Sequence, residues 1–296
     1  SALRGTGIVK PAMITQGVSV LVNTALAPVL IAGWGTGIAL GVAGAGIASS
    51  IAVIVSVLLL AAYFLRLEHY VGFNAAMLKP RLAVWRRMLD LGLPAGGEFL
   101  LMFVYMAIVY WLIRDFGAAA QAGFGLGSRI TTAFFLPAMA VAFTVPAVAG
   151  QNFGAKRYDR VRETFTRSAL IGAAMMAMLA LIVHIDPAFM ARPFSRDPEV
   201  VAFAARFLEI VSWNFVATGL IYTCSGMFQA LGNTWPSLLS SASRLLTFAV
   251  PAVWLSHQPG FTMDHVWYLS VGTMTLQAVA SVLLVRWQMN KRLVTA

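Results

Sequence analysis

One cysteine in 296 residues leaves Cys224 without a partner, which excludes a disulfide framework and a cysteine-built metal site. Packing inside an apolar run is the role left to it. Histidine is nearly as rare: His69, His184, His257 and His265 lie near the ends of apolar runs, and none belongs to an HExxH pattern, so a zinc hydrolase is not indicated. Charged residues make up only 11% of the chain, against roughly a quarter in an ordinary soluble domain. Paired aspartates or histidines at one depth, which an intramembrane enzyme would need, are absent. The chain is therefore read as a non-enzyme without cofactor or metal.

What is abundant is apolar. Hydrophobic residues reach 59% and the mean hydropathy is +0.80, which makes this an integral membrane protein. Runs of about 20 apolar residues cross ~30 Å of hydrocarbon as helices. Eight are read, at 11–31, 42–65, 88–113, 119–148, 166–184, 200–230, 235–256 and 266–287, giving an all-α polytopic bundle. A strand barrel is excluded because these runs are far longer than ~10 residues and do not alternate. Trp34, Trp85, Tyr110, Trp111, Trp235, Trp254, Trp267 and Trp287 fall near span ends, as in an interfacial aromatic belt.

The net charge of +10 follows from topology, not from nucleic-acid binding, because the basic residues sit between hydrophobic spans. If the spans alternate, Arg4, Lys10, Arg66, Lys79, Arg81, Arg86, Arg87, Lys156, Arg157, Arg160, Arg162, Arg167, Arg286, Lys291 and Arg292 share one side. The other receives Arg114, Arg192 and Arg196, accompanied by Asp115, Asp186, Asp197, Glu199 and Asp264. By the positive-inside rule the first side is cytoplasmic, so both ends lie inside, and a bacterial inner (plasma) membrane is expected.

The chain repeats itself. "LRGTGIVKPAM" and "FQALGNTWPSL" each carry a glycine followed four residues later by proline, Gly7 with Pro11 and Gly232 with Pro236. At the same offset "SVLLL" from Ser56 aligns with "SVLLV" from Ser281. Spans one and two thus match spans seven and eight, while spans three to six have no upstream partner. The expectation is a fragment of a twelve-helix molecule with parallel six-helix halves, lacking its first four helices. Residues 1–65 would be the remainder of the N-terminal lobe, 66–87 a cytoplasmic inter-lobe loop, and 88–296 the C-terminal lobe.

The sequence resembles the multidrug and toxic compound extrusion (MATE) transporters, in the wider MOP flippase superfamily that also holds lipid-linked oligosaccharide flippases. The resemblance rests on "LRGTGIVKPAM", "LGVAGAGIASSI", "LGLPAGGEFLL", "AGQNFGAKRYDRVRETF" and "FQALGNTWPSLLSS", and covers essentially all of the chain. It implies a two-lobe inverted-V fold with helices five to twelve present. It also implies a monomeric antiporter that exports small amphipathic, often cationic, organic compounds, driven by H⁺ or Na⁺. One departure stands out: many members carry Asn-x-x-Leu-Asp-Pro in helix five, whereas here "NTALAP" keeps Asn23, Leu26 and Pro28 but has Ala27 at the aspartate position. A first-lobe cation site is therefore reduced to Asn23.

Charges inside the spans mark function, since an ionised side chain at bilayer depth is costly and faces a cavity or a partner. Glu98 lies about ten residues into its span, ~15 Å deep at 1.5 Å per residue, and Arg244 sits at similar depth. Glu98 is read either as the coupling carboxylate or as half of a fixed ion pair with Arg244. Arg129 and Glu209 are cavity candidates nearer the outer half, although Arg206, three residues before Glu209, favours a local pair. Tyr105, Met102, Trp213 and Asn214 are further cavity candidates, Met106 flanks the same face, and Pro94, Pro137 and Pro146 are candidate hinges. The glycine series from Gly35 to Ser50 has no preceding strand and no phosphate-binding lysine, so close helix packing explains it better than a nucleotide loop. The function read is ion-coupled multidrug efflux by alternating access, with lipid-linked precursor flipping, supported by Arg129 and Arg244, as the alternative.

Overall fold

The computed structural model describes residues 5, 7–35, 37, 39–66 and 81–294, and every regular element among them is helical. Two compact units separate at Leu82. The first holds α1 (Lys10–Ala32) and α2 (Gly41–Arg66). The second holds α3 (Leu82–Ile113, counted with it from Ala83), a 3₁₀ turn at Arg114–Phe116, α4 (Gly117–Gly154) and α5 (Tyr158–Ile185). It continues with α6 (Pro187–Ala191), α7 (Pro198–Val211), α8 (Asn214–Ala230), α9 (Trp235–Ser256) and α10 (Met263–Val294). Seven of these helices are long and apolar enough to cross a membrane, and α7 with α8, bent by 59° at a short break, passes the same test as a pair. The chain is a polytopic membrane protein.

In the first unit small and hydroxyl side chains face inward and large apolar ones face outward. The buried positions there are Thr15, Ser19, Gly44, Ala48 and Ala52, while Leu21, Val42, Val57 and Leu58 point outward. Small residues let the helices approach: a Cβ on Gly44 would collide with the Leu30 carbonyl. Ser19 Oγ donates to the Ala52 carbonyl at 3.0 Å, and Asn23 Nδ2 donates to Ser49 Oγ at 3.1 Å. With lipid outside, association depends on such close packing and on hydrogen bonds rather than on hiding apolar surface. Of the glycine series only Gly44 takes the packing role read for it; a Cβ on Gly35, Gly37, Gly41 or Gly46 would meet nothing within 4 Å.

The repeated glycine–proline element has a geometric cause. Gly7 and Gly232 both have left-handed backbones, φ 84° and φ 67°, and Pro11 and Pro236 both enter the first turn of a helix. At the second copy, Asn233 N–H donates to the Phe228 carbonyl and Gly232 N–H to the Gln229 carbonyl, both at 3.0 Å. That is a Schellman stop. Glycine supplies the left-handed residue, and proline loses nothing where an N–H has no intrahelical acceptor.

Several boundaries differ from the sequence reading. Helix α3 starts at Leu82, not 88, so Trp85, Arg86 and Arg87 are helical. Helix α4 runs to Gly154 and α5 begins at Tyr158, because the Gln151–Ala155 segment is mostly helix and the reversal is made by Lys156, a non-glycine residue at φ 57°. Polar residues at the membrane surface continue a helix where hydropathy stops. Trp267 is corrected: it is 1% exposed and stacks on Phe124 at 5.6 Å, so it belongs to the core and not to the aromatic belt. Arg4, His69 and Lys79, with residues 67–80 of the expected inter-lobe loop, lie outside the described residues.

At the expected hinges Pro94, Pro137 and Pro146, helices α3 and α4 run on without a break. A proline removes one ladder bond and crowds the carbonyl four residues before it, so the preceding turn is where neighbours approach closely. Thr234 Oγ1 donates to the Leu91 carbonyl at 2.8 Å, one turn before Pro94. The Ala142 carbonyl, four residues before Pro146, faces Gly226 of α8, where a Cβ would come within 2.7 Å of it. The real break falls at Ser212 and Trp213, without proline or glycine. There Ser212 Oγ donates to the Glu209 carbonyl at 3.1 Å and lies 3.2 Å from His184 Nδ1, while the His184 and Trp213 rings meet edge to face. A hydroxyl that bonds a nearby carbonyl competes with the helical ladder and stabilises such a break.

Candidate functional site

The second unit is layered along its helices. One apolar layer contains Val109, Ile113, Phe124, Phe207, Phe215, Phe248 and Trp267; another contains Val145, Phe165, Cys224, Phe228, Val285 and Met289. Residues of α3, α4, α8, α9 and α10 line a cavity of about 170 Å³, and on α4 and α10 they lie between the two layers in sequence. Its polar wall consists of Glu98, Tyr105, Thr218, Tyr222, Ser225, Gln229, Ser241, Arg244 and Gln277. Phe99, Met102, Met139, Phe143, Leu245 and Met274 supply the apolar remainder. Glu98 and Arg244 each fall near the middle of their helices, which places the cavity at mid-span.

Glu98 is held by hydroxyls. Ser225 Oγ lies 3.1 Å from one carboxylate oxygen and 3.3 Å from the other. Gly97, beside it, is where α3 passes Leu238 of α9, whose side chain would crowd a Cβ. Arg244 does not meet Glu98: no ion pair among the described residues involves either group. Instead the guanidinium lies over the Tyr105 ring at 4.7 Å, and its Nε is sealed from solvent without an acceptor. Tyr105 is itself fixed, its hydroxyl 3.0 Å from Ser270 Oγ and its ring against Phe248. The fixed ion pair read as one alternative is thus not formed.

The other candidates divide. Met102 and Tyr105 line the cavity, whereas Met106 packs against the first apolar layer. Asn214 is buried behind the wall, with Nδ2 at 3.4 Å from Ser270 Oγ and Oδ1 unpartnered. Arg129 and Trp213 are exposed and outside the cavity, since their positions on α4 and before α8 face away from it. Glu209 does not line the cavity: it is exposed and makes the local pair with Arg206 that the spacing favoured, at 2.9 Å, and Arg206 also holds Asp264 of α10 at 2.7 Å. Asn23 belongs to the first unit and pairs with Ser49.

Sequence reading missed Ser225, Tyr222, Ser241 and Gln277. Gln277 was findable, as a lone amide at the centre of an apolar span. Its Nε2 donates to Ser241 Oγ at 3.1 Å and its Oε1 has no partner. The serines carried no signal, because hydroxyls occur throughout apolar helices.

Packed helices around a cavity that carries Glu98 and Arg244 define a polytopic helical membrane protein. The MatE family profile matches residues 94–255, more than half of the chain, and the chain belongs to that family. Among curated proteins it is 27% identical to the probable multidrug resistance protein YoeA of Bacillus subtilis, over 90% of this chain and 58% of that protein. It is 26% identical to the FAD transporter of Shewanella oneidensis, over 84% of this chain and 55% of that protein. The chain therefore spans little more than half the length of these relatives. Its fold matches an outward-facing multidrug resistance MATE family transporter of the MOP superfamily with a TM-score of 0.88 at 22% identity, covering 98% of this chain and 64% of that one. A MOP superfamily transporter from Pyrococcus furiosus matches equally, at TM-score 0.88 and 22% identity, over 98% of this chain and 65% of that one.

Proposed function

We propose that this chain is part of a secondary active exporter of amphipathic organic compounds, driven by antiport of H⁺ or Na⁺ in a bacterial inner membrane with both ends cytoplasmic. The observation that carries the reading is Glu98. It is a carboxylate at mid-depth, held by Ser225 and without a cation of its own, on the wall of a cavity rich in aromatic and methionine side chains. Such a group binds a proton or a sodium ion without first breaking an ion pair. Unbranched methionines adapt to apolar substrates of different shape. The multidrug names of relatives such as YoeA agree with this reading.

In the mechanism, substrate enters from the cytoplasm and binds the cavity, and a cation arriving at Glu98 neutralises the carboxylate. Because an ionised and a neutral group differ greatly in their cost in a dry setting, occupancy of Glu98 biases inward against outward states. Alternating access then exchanges cation for substrate. The flippase alternative loses one of its supports, since Arg129 is exposed away from the cavity.

The test is transport of a fluorescent lipophilic cation by the full-length protein in proteoliposomes, with pH and sodium gradients imposed separately. Export under one gradient, lost in Glu98→Gln with insertion intact, is the expected result. Undiminished export by Glu98→Gln would remove Glu98 from coupling. No export under either gradient would move the weight to a lipid-linked substrate.

A further inference from the structure

Arg244 is left over by that mechanism. Its guanidinium is fixed over the Tyr105 ring at mid-depth, no carboxylate among the described residues comes within ion-pair distance, and Nε has no acceptor. An uncompensated cation at this depth is costly, and stacking on the Tyr105 ring supplies no counter-charge. Gln277 lines the same cavity, buried, one end of its amide bonded to Ser241 and the other end without a partner. The Ser241 hydroxyl either donates or accepts, so rotation of the amide turns an N–H₂ toward the cavity at no loss of that bond.

We propose that Arg244, with Gln277, is a receptor for an anionic oxygen group on the transported molecule, so that the cavity takes amphipathic organic acids. The shared chemistry is a planar or tetrahedral oxyanion, a carboxylate or a phosphate, which a guanidinium binds through two parallel N–H donors. The apolar body of the molecule lies against Phe99, Met102, Phe143, Leu245 and Met274. Glu98, held separately by Ser225, stays free to take its cation or a basic group of a zwitterionic substrate. The proposal rests on the transport reading above and narrows its substrate class.

The test uses purified full-length protein in nanodiscs and three dansyl-labelled probes with the same alkyl chain, ending in a carboxylate, a phosphate or a neutral amide. The carboxylate, the phosphate or both are expected to bind about tenfold or more tighter than the amide, and the acids separate the two oxyanion sources. Arg244→Gln is expected to abolish the preference by weakening the acids alone, Arg244→Lys to restore part of it, and Gln277→Leu to reduce it. Equal binding of acids and amide by the wild type, or an undiminished preference in Arg244→Gln, would overturn the proposal. If Arg244→Gln does not assemble, the wild-type comparison and Gln277→Leu decide. Acid-selective binding without gradient-driven export would sink the export reading and leave the anion site standing; export of the cation without acid selectivity would do the reverse.

Discussion

Glu98 and Arg244 line one cavity without touching: the carboxylate accepts from Ser225 at 3.1 Å and the guanidinium lies over Tyr105 at 4.7 Å. A direct pair would cancel both charges and close the site as a structural clamp. Kept apart, each is open to a ligand of opposite charge, and the energetic cost of burying them is the driving force for taking one up.

Ser225→Ala removes the donor that orients Glu98. A hydrogen bond to a charged group is worth about 1.5–3 kcal/mol, so gradient-driven export is expected to fall by about tenfold or more. In the Glu98→Gln background the same change should add little, because the two side chains act as one unit. Initial rates in proteoliposomes for both singles and the double variant check this, and independent, additive losses would separate Ser225 from the coupling group.

Gly226→Ala introduces a Cβ within 2.7 Å of the Ala142 carbonyl, a backbone atom that moves only if α4 and α8 separate. Overpacking of this kind destabilises by about 1–3 kcal/mol. Gly272→Ala is the control: it lies in α10 with nothing within 4 Å of its would-be Cβ and should be neutral or stabilising by up to about 1 kcal/mol. Thermal unfolding of both variants in detergent is the measurement, and similar behaviour would contradict the packing assigned here.

The Arg206–Asp264 contact ties α7 to α10 at 2.7 Å, but both side chains are more than a third exposed, 45% and 37%. Solvent screening then limits the pair to about 1 kcal/mol or less. A double-mutant cycle with Arg206→Ala and Asp264→Ala should return a coupling no larger than that, with export retained because neither residue lines the cavity. A large coupling or abolished export would make this cluster part of the transport cycle.

Orientation is testable through the buried thiol. Cys224 is 1% exposed and should give almost no background with a membrane-impermeant maleimide. In intact cells Arg192→Cys is expected to label from outside and Lys156→Cys only after permeabilisation. The reverse pattern would invert the topology drawn from loop charge.

Much was legible in the sequence because the bilayer imposes a strict local rule. A run of about 20 apolar residues must satisfy its own backbone, so span number and helical class follow from composition alone. The Gly7/Pro11 and Gly232/Pro236 correspondence was legible because a left-handed residue and a helix start each demand a residue type. Glu98 stood out because a carboxylate at that depth needs a reason to be there. Trp267 misled for the opposite reason: indole suits an interface and a packed core equally well, and only Phe124, 143 residues earlier, decides between them.

By itself, then, the sequence determined that this is a helical membrane protein, where its spans lie to within two or three turns, and which residues resemble the family to which it belongs. Those features depend on hydropathy and backbone propensity, which act over neighbouring residues. The tertiary structure alone decided that Glu98 meets Ser225 and not Arg244, that Arg129 and Glu209 face away from the cavity, and that the bend falls at Ser212 and Trp213 while α3 and α4 run unbroken through Pro94, Pro137 and Pro146. Each of these depends on the rotation of one helix against another. That rotation is set by small-residue contacts such as Gly226 on Ala142 and by hydroxyl bonds such as Thr234 to Leu91, which link residues 84 and 143 positions apart.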